Sequence, residues 1–211
     1  MIRAFFAVEL GAAARHAAGL CIEGLRARAR GRLSWARAEG LHVTLRFLGD
    51  IAPDQVAPLA HCVGPQAAAV APFVLGLGSV HLFPSPRRPR VVALEVEPVP
   101  PLETLARAVE RGVVAAGFAP EPRPFRAHVT LARVRDGGVP SLDGEPAPSA
   151  APFEVREVVL FESRLGAGGS VYTALERLPL GTGAPTASID PQTSPGGVVS
   201  LHPQLGSSEE H

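Results

Sequence analysis

The sequence predicts a mixed fold of strands and helices built from two similar halves. Three observations carry this. The tetrapeptide HVTL occurs at His42–Leu45 and again at His128–Leu131, a step of 86 residues. VHLFPS, from Val80, is echoed by VVLFES, from Val158, a step of 78 residues. Short β-rich runs alternate with stretches of helical apolar spacing. Segments that recur together at similar spacing point to an internal duplication.

The elements run in order along the chain. IRAFFAVEL predicts a strand over Ile2–Val8. Leu10, Ala14, Ala17, Cys21 and Leu25 then recur at helical spacing. Arg26, Arg28, Arg30 and Arg32 close that helix, where basic residues complement the dipole; contact with RNA is the sharper alternative. LHVTLRFLGD predicts a strand closed by Gly49-Asp50, and a weaker helix from Pro53, interrupted by Pro58 and by Gly64-Pro65. FVLGLGSVHLF and VVALEVE predict two strands joined by the turn PSPRRPR. From Pro101 a strong helix places Leu102, Leu105, Ala106, Val109 and Val113 on one face and stops at Gly117. FRAHVTLARV predicts the second HVTL strand, and a long loop covers Asp136–Pro152. FEVREVVLFESRL, GAGG and VYTALERLPL predict strand, turn and strand. After Leu180 the text is rich in Gly, Pro and Ser without a period, so residues 181–211 are expected to form a disordered tail.

Composition narrows the function. The 20 basic residues, all arginine, balance 20 acidic ones, so any hold on nucleic acid must be local. No apolar run approaches the ~18 residues of a membrane span. Two cysteines without metal spacing, and a start MIRAFFAVEL without a cleavage pattern, predict a reduced cytoplasmic protein.

The chemistry sits in the repeated motif. Side chains alternate along a strand, so in HVTL the His and Thr share one face while Val and Leu share the other. Two such strands about a pseudo-two-fold axis would oppose His42 and Thr44 to His128 and Thr130. Two imidazoles can divide acid and base duties near neutral pH, and threonine hydroxyls can donate to phosphoryl oxygens. A lone strand histidine is more often structural; two in identical HxT settings favour function. A metal site is the competing reading, but the next residues on each His face are Arg46 and Ala132, not carboxylates. No metal or other cofactor is expected. Acid–base pairing predicts a bell-shaped pH profile with limbs bracketing neutrality.

Taken together, RAFFAVEL, LHVTLRFLGD, FPSPRRPRVVALEV, RPFRAHVTLARV and VVLFESRL…VYTALERLPL resemble the RNA 2′,3′-cyclic phosphodiesterases, or 2′-5′ RNA ligase-like proteins, of the two-histidine phosphoesterase superfamily. The resemblance covers residues 1 to about 180. It implies an α+β fold: one bilobal domain over 1–180, two antiparallel sheets related by a pseudo-two-fold axis around a central cleft, and helices outside. It implies metal-free hydrolysis of RNA 2′,3′-cyclic phosphate termini to 2′-phosphomonoesters, with His42 as general acid and His128 as general base. Thr44 and Thr130 would hold the phosphoryl group, Arg133 would lie near the phosphate and Phe47 near the terminal base. The implied partners are RNA 3′ ends or nucleotides bearing the cyclic phosphate, acted on by a monomer. Ligation through a 2′-5′ linkage at the same site, or binding of RNA ends without turnover, are the alternatives. Strict alternation puts Phe47 and Arg133, five residues past each His, on the opposite face. Unless bulges after Leu45 and Leu131 re-aim them, Phe47 belongs to the core and Arg46 to the cleft.

Overall fold

A computed structural model describes residues 1–29, 32–136, 146–166 and 169–182. The chain runs β1 (Ile2–Glu9), α1 (Ala12–Arg28), β2 (Arg32–Trp35), β3 (His42–Ile51), α2 (Val56–Ala68), β4 (Phe73–Phe83), β5 (Val91–Glu97), α3 (Val99–Ala115), β6 (Val129–Asp136), β7 (Phe153–Val155), β8 (Glu157–Gly166) and β9 (Gly169–Pro179). Every strand pairing among the described residues is antiparallel. The order is β7-β4-β5-β6-β3-β1-β8-β9, with β2 also paired to β6. The fold is mixed α and β on a curled antiparallel sheet.

The middle of this path positions the site. β3 and β6, the two HVTL strands, meet at a single pair, Val43 opposite Val129. Outward from that junction the order is β1, β8 on one side and β5, β4 on the other. Each flanking strand leads through a helix to its HVTL strand: β1 through α1 to β3, and β5 through α3 to β6. VHLFPS lies in β4 and at its end, and VVLFES lies in β8, so the two echoes occupy corresponding places in the strand order.

One face of the sheet packs on the helices. Phe6, Val8, Val43, Leu45, Leu94, Val129 and Leu131 are buried there with the apolar residues of α1, α2 and α3. Fully burying an aliphatic or aromatic side chain stabilises by about 1.5–3 kcal/mol, so this layer supplies the main driving force. The helices approach closely where α3 crosses α2: a Cβ on Gly112 would lie 2.6 Å from Val63 Cα. Only glycine allows that spacing without backbone displacement.

Several sequence expectations are corrected. Gly49-Asp50 does not close the third strand; Gly49 takes a positive φ of 75° beside a bulge, and the strand runs on to pair Ile51 with Ile2. Neither Pro58 nor Pro65 breaks α2: Pro58 sits in its first turn, where no amide donor is needed, and the helix continues through Pro65 to Ala68. FEVREVVLFESRL is not one strand. It divides at Arg156, with β7 pairing β4 and β8 pairing β1, because pairing partners on opposite sides of the junction compete for the two pieces. Arg32, read as part of the helix end, instead opens β2, which is Arg32–Trp35. Arg28 does cap that end by donating to Gly24 O, and Arg26 lies over Trp35; Arg30 falls outside the described residues. At the far end Leu180 N donates to Arg156 O and Gly181 N to Val70 O, both at 2.8 Å. The expected tail beyond residue 182 lies outside the described residues, as does most of the expected loop at 137–145.

Candidate active site

His42 opens β3, and His128 immediately precedes β6. Continued by one residue, the antiparallel register of the Val43–Val129 pair turns His42 toward Thr130 and Thr44 toward His128 on one face.

Both imidazoles are held in the same way. His42 Nδ1 lies 2.7 Å from Gly40 O, and His128 Nδ1 lies 2.8 Å from Arg126 O. A carbonyl only accepts, so Nδ1 carries the hydrogen in both rings and Nε2 is left to exchange a proton. His42 Nε2 sits 3.1 Å from Thr44 Oγ1.

The second halves of the motifs are re-aimed by matching bulges. Opposite β1, Ala7 pairs with Thr44 and Phe6 with Arg46, which leaves Leu45 as the extra residue. Opposite β5, Ala93 pairs with Thr130 and Val92 with Ala132, which leaves Leu131 extra. Each bulge flips the parity of the residues beyond it. Phe47 therefore shares the face of His42 and Thr44. It is 46% exposed, with its ring 5.8 Å from Phe5. Arg133 shares the face of His128 and Thr130. Strict alternation failed here, and with it the placing of Phe47 in the core and Arg46 in the cleft.

Arg46 instead points to the helix side. Nε lies 2.6 Å from Glu110 Oε2 on α3, Nη1 lies 3.1 Å from Glu121 Oε2, and Nη2 lies 2.5 Å from Ala119 O. Glu110 also accepts from Glu121 N at 2.8 Å. The arginine of the first motif thus ties β3 to the irregular segment that leads to His128.

Four aromatic rings complete the site, none of them singled out from the sequence. Phe5 lies 4.8 Å from the His42 ring, Tyr172 meets it edge-on at 5.0 Å, and Phe161 stands at 6.4 Å. On the other side Phe83 stacks on His128 at 5.2 Å, and the Arg126 guanidinium lies 5.5 Å from the centre of the same Phe83 ring. The echo VHLFPS/VVLFES held the signal: its two phenylalanines are Phe83 and Phe161, and each faces the histidine of its own side.

These surroundings disfavour imidazolium. Burial pushes both histidines below the ordinary value of 6.5, and the nearby Arg133 charge pushes the same way. The Gly40 and Arg126 carbonyls oppose this in part, and Glu9 does so for His42. An acid–base pair is active when singly protonated, so the kcat/KM bell should lie on the acid side of neutrality, not across it. A pH series on the free protein checks this; a bell centred above pH 7 would contradict it. The apparent limbs belong to the pair.

Among the described residues no group of three or more His, Cys, Asp or Glu could hold a metal ion. No helix among them is long and apolar enough to cross a membrane.

Comparison with known proteins identifies the family. The family model of the 2′-5′ RNA ligase superfamily matches residues 13–167, which include both HVTL motifs. An RNA 2′,3′-cyclic phosphodiesterase of Methanothermobacter thermautotrophicus is 31% identical over 180 residues, 83% of this chain and 97% of the relative. One of Geobacillus stearothermophilus is 35% identical over 136 residues, 63% of this chain; the match spans only 43% of that longer relative. Among solved structures, E. coli LigT complexed with 3′-AMP superposes with a TM-score of 0.68 at 29% identity, over 85% of this chain and 98% of that one. The chain belongs to the 2′-5′ RNA ligase superfamily.

Proposed function

We propose that the protein hydrolyses RNA 2′,3′-cyclic phosphate termini to 2′-phosphomonoesters by acid–base catalysis between His42 and His128. The observation that carries this is the pair of imidazoles, each with Nδ1 committed to a carbonyl two residues back, and each with Nε2 left for proton exchange at one sheet junction. Neutral His128 accepts a proton from water as its oxygen attacks phosphorus. The bond from phosphorus to the 3′ oxygen breaks, and His42 Nε2–H protonates that oxygen. Thr44, Thr130 and Arg133 bind the phosphoryl oxygens, and Phe47 offers a face to the terminal base. The assignment of acid and base rests on the family resemblance. The activity named for the relatives, and the 3′-AMP held by LigT, support the substrate class.

The two halves are read as lobes of a single domain over residues 1–180, related by a pseudo-two-fold axis. Support comes from the mirrored strand orders β3-β1-β8 and β6-β5-β4 and from the bulges at Leu45 and Leu131. One chain supplies both motifs, so a monomer suffices. No metal enters these steps. Exhaustive chelation should leave turnover of an oligonucleotide ending in 2′,3′-cyclic phosphate unchanged. Loss restored by a divalent ion would overturn the metal-free mechanism, and absence of turnover would overturn the hydrolytic one.

A further inference from the structure

Seven arginines, Arg15, Arg46, Arg107, Arg123, Arg156, Arg164 and Arg177, each meet a glutamate. By contrast, among the described residues no hydrogen bond or ion pair engages the side chains of Arg87, Arg88, Arg90, Arg133 or Arg135. All five are exposed. They are also contiguous. Arg90 N donates to Phe83 O at 2.6 Å, and Val134 N donates to Arg90 O at 2.9 Å, so the β4–β5 turn is bonded to β6 just past the site. Val91 pairs with Arg133. Beyond the Leu131 bulge Arg133 lies on the His128 face, and Arg135 follows as the extra residue of a further bulge, between Val134, paired with Leu33 of β2, and Asp136, paired with Arg32.

The opposite end of the same face differs in sign. Along β5, Val91 and Ala93 lie beside Arg133 and Thr130, but Glu95 and Glu97 come next. Glu95 is engaged with His81 at 3.3 Å and Ser79 at 3.4 Å. A polyanion leaving His128 therefore meets a run of unneutralised arginines in one direction, and in the other Glu95 and Glu97 along with the Arg126 guanidinium over Phe83. The chain as a whole is neutral, so this is a local field.

We infer that Arg135 and the turn arginines Arg87, Arg88 and Arg90 form a track for the RNA strand on the 5′ side of the cyclic phosphate, so that an oligonucleotide end is a better substrate than a mononucleotide. This rests on the hydrolytic reading of the His42–His128 site. The track binds phosphodiesters electrostatically without reading bases; Arg133 stays with the reacting phosphate. Four such contacts to a single strand give a log–log salt slope near −3, or about 50-fold weaker binding at 200 mM than at 50 mM salt.

The test compares the unaltered protein with the fourfold variant Arg87→Gln, Arg88→Gln, Arg90→Gln, Arg135→Gln. Each is assayed on a 2′,3′-cyclic mononucleotide and on an RNA octamer ending in the same group, across that salt range. Fluorescence anisotropy tracks the octamer without requiring turnover. The variant should lose at least about tenfold in kcat/KM and in affinity for the octamer at low salt, and most of the salt slope. Its kcat/KM on the mononucleotide should stay within about twofold. Equal losses on both substrates, or an octamer affinity and salt slope that do not change, would overturn the track. If the unaltered protein turns over neither substrate, the hydrolytic reading fails, and the anisotropy arm still decides the track. Melting of the variant near the unaltered temperature excludes a folding defect; if the fourfold variant fails to fold, Arg87→Gln with Arg88→Gln at the exposed turn replaces it, with about half the loss in slope.

Discussion

Replacing His42 or His128 by alanine should lower kcat/KM on a 2′,3′-cyclic phosphate end by roughly 10²–10⁴-fold, the usual contribution of a positioned acid or base. Near-normal activity in either variant would remove that residue from the mechanism. The two losses should not multiply in the double variant, because the imidazoles act as one unit in a single proton relay. Neither change should unfold the protein, since both rings lie on the site face and not in the helix-side core. The roles separate by leaving group. A substrate with an activated 3′ leaving group needs less help from an acid, so it should rescue His42→Ala much more than His128→Ala. Rescue of His128→Ala alone would reverse the assignment.

The second large effect is expected at Arg133. Arg133→Met should cost roughly 10²–10³-fold in kcat, the scale seen when one preorganised stabiliser of transition-state charge is lost. A further readout separates this from simple structural damage. The Arg133 charge helps to hold both histidines below their ordinary value. Its removal should raise both, so both limbs of the pH profile should move toward alkaline pH. A loss of activity with unmoved limbs would mean that the guanidinium stands too far from the pair to act on phosphate between them.

Much of the site was legible because it depends on local rules. HVTL read with a period of two places His and Thr together, and two copies supply both halves of the proton relay. The facing of the residues beyond each motif was not legible. Leu45 and Leu131 are ordinary apolar strand residues, and nothing in their identity marks them as unpaired. The bulges exist because the facing strands, β1 and β5, set a register that skips one residue. The place of Arg46 was left open for the same reason: one inserted residue moves a guanidinium from the cleft to a pair of glutamates on the helix side. The phenylalanines were visible as a repeat, but their meaning depends on which strand lies beside which. Long-range pairing also divided FEVREVVLFESRL, whose composition is β-rich throughout.

The central claim is tested most directly by the product. An RNA oligonucleotide ending in 2′,3′-cyclic phosphate is incubated with the protein, and the phosphate position is read by phosphorus NMR. Cleavage of the bond to the 3′ oxygen predicts the 2′-phosphomonoester alone, formed by the unaltered protein and nearly absent with His42→Ala or His128→Ala. A 3′-phosphomonoester, or product formation that survives the loss of both histidines, would contradict the account.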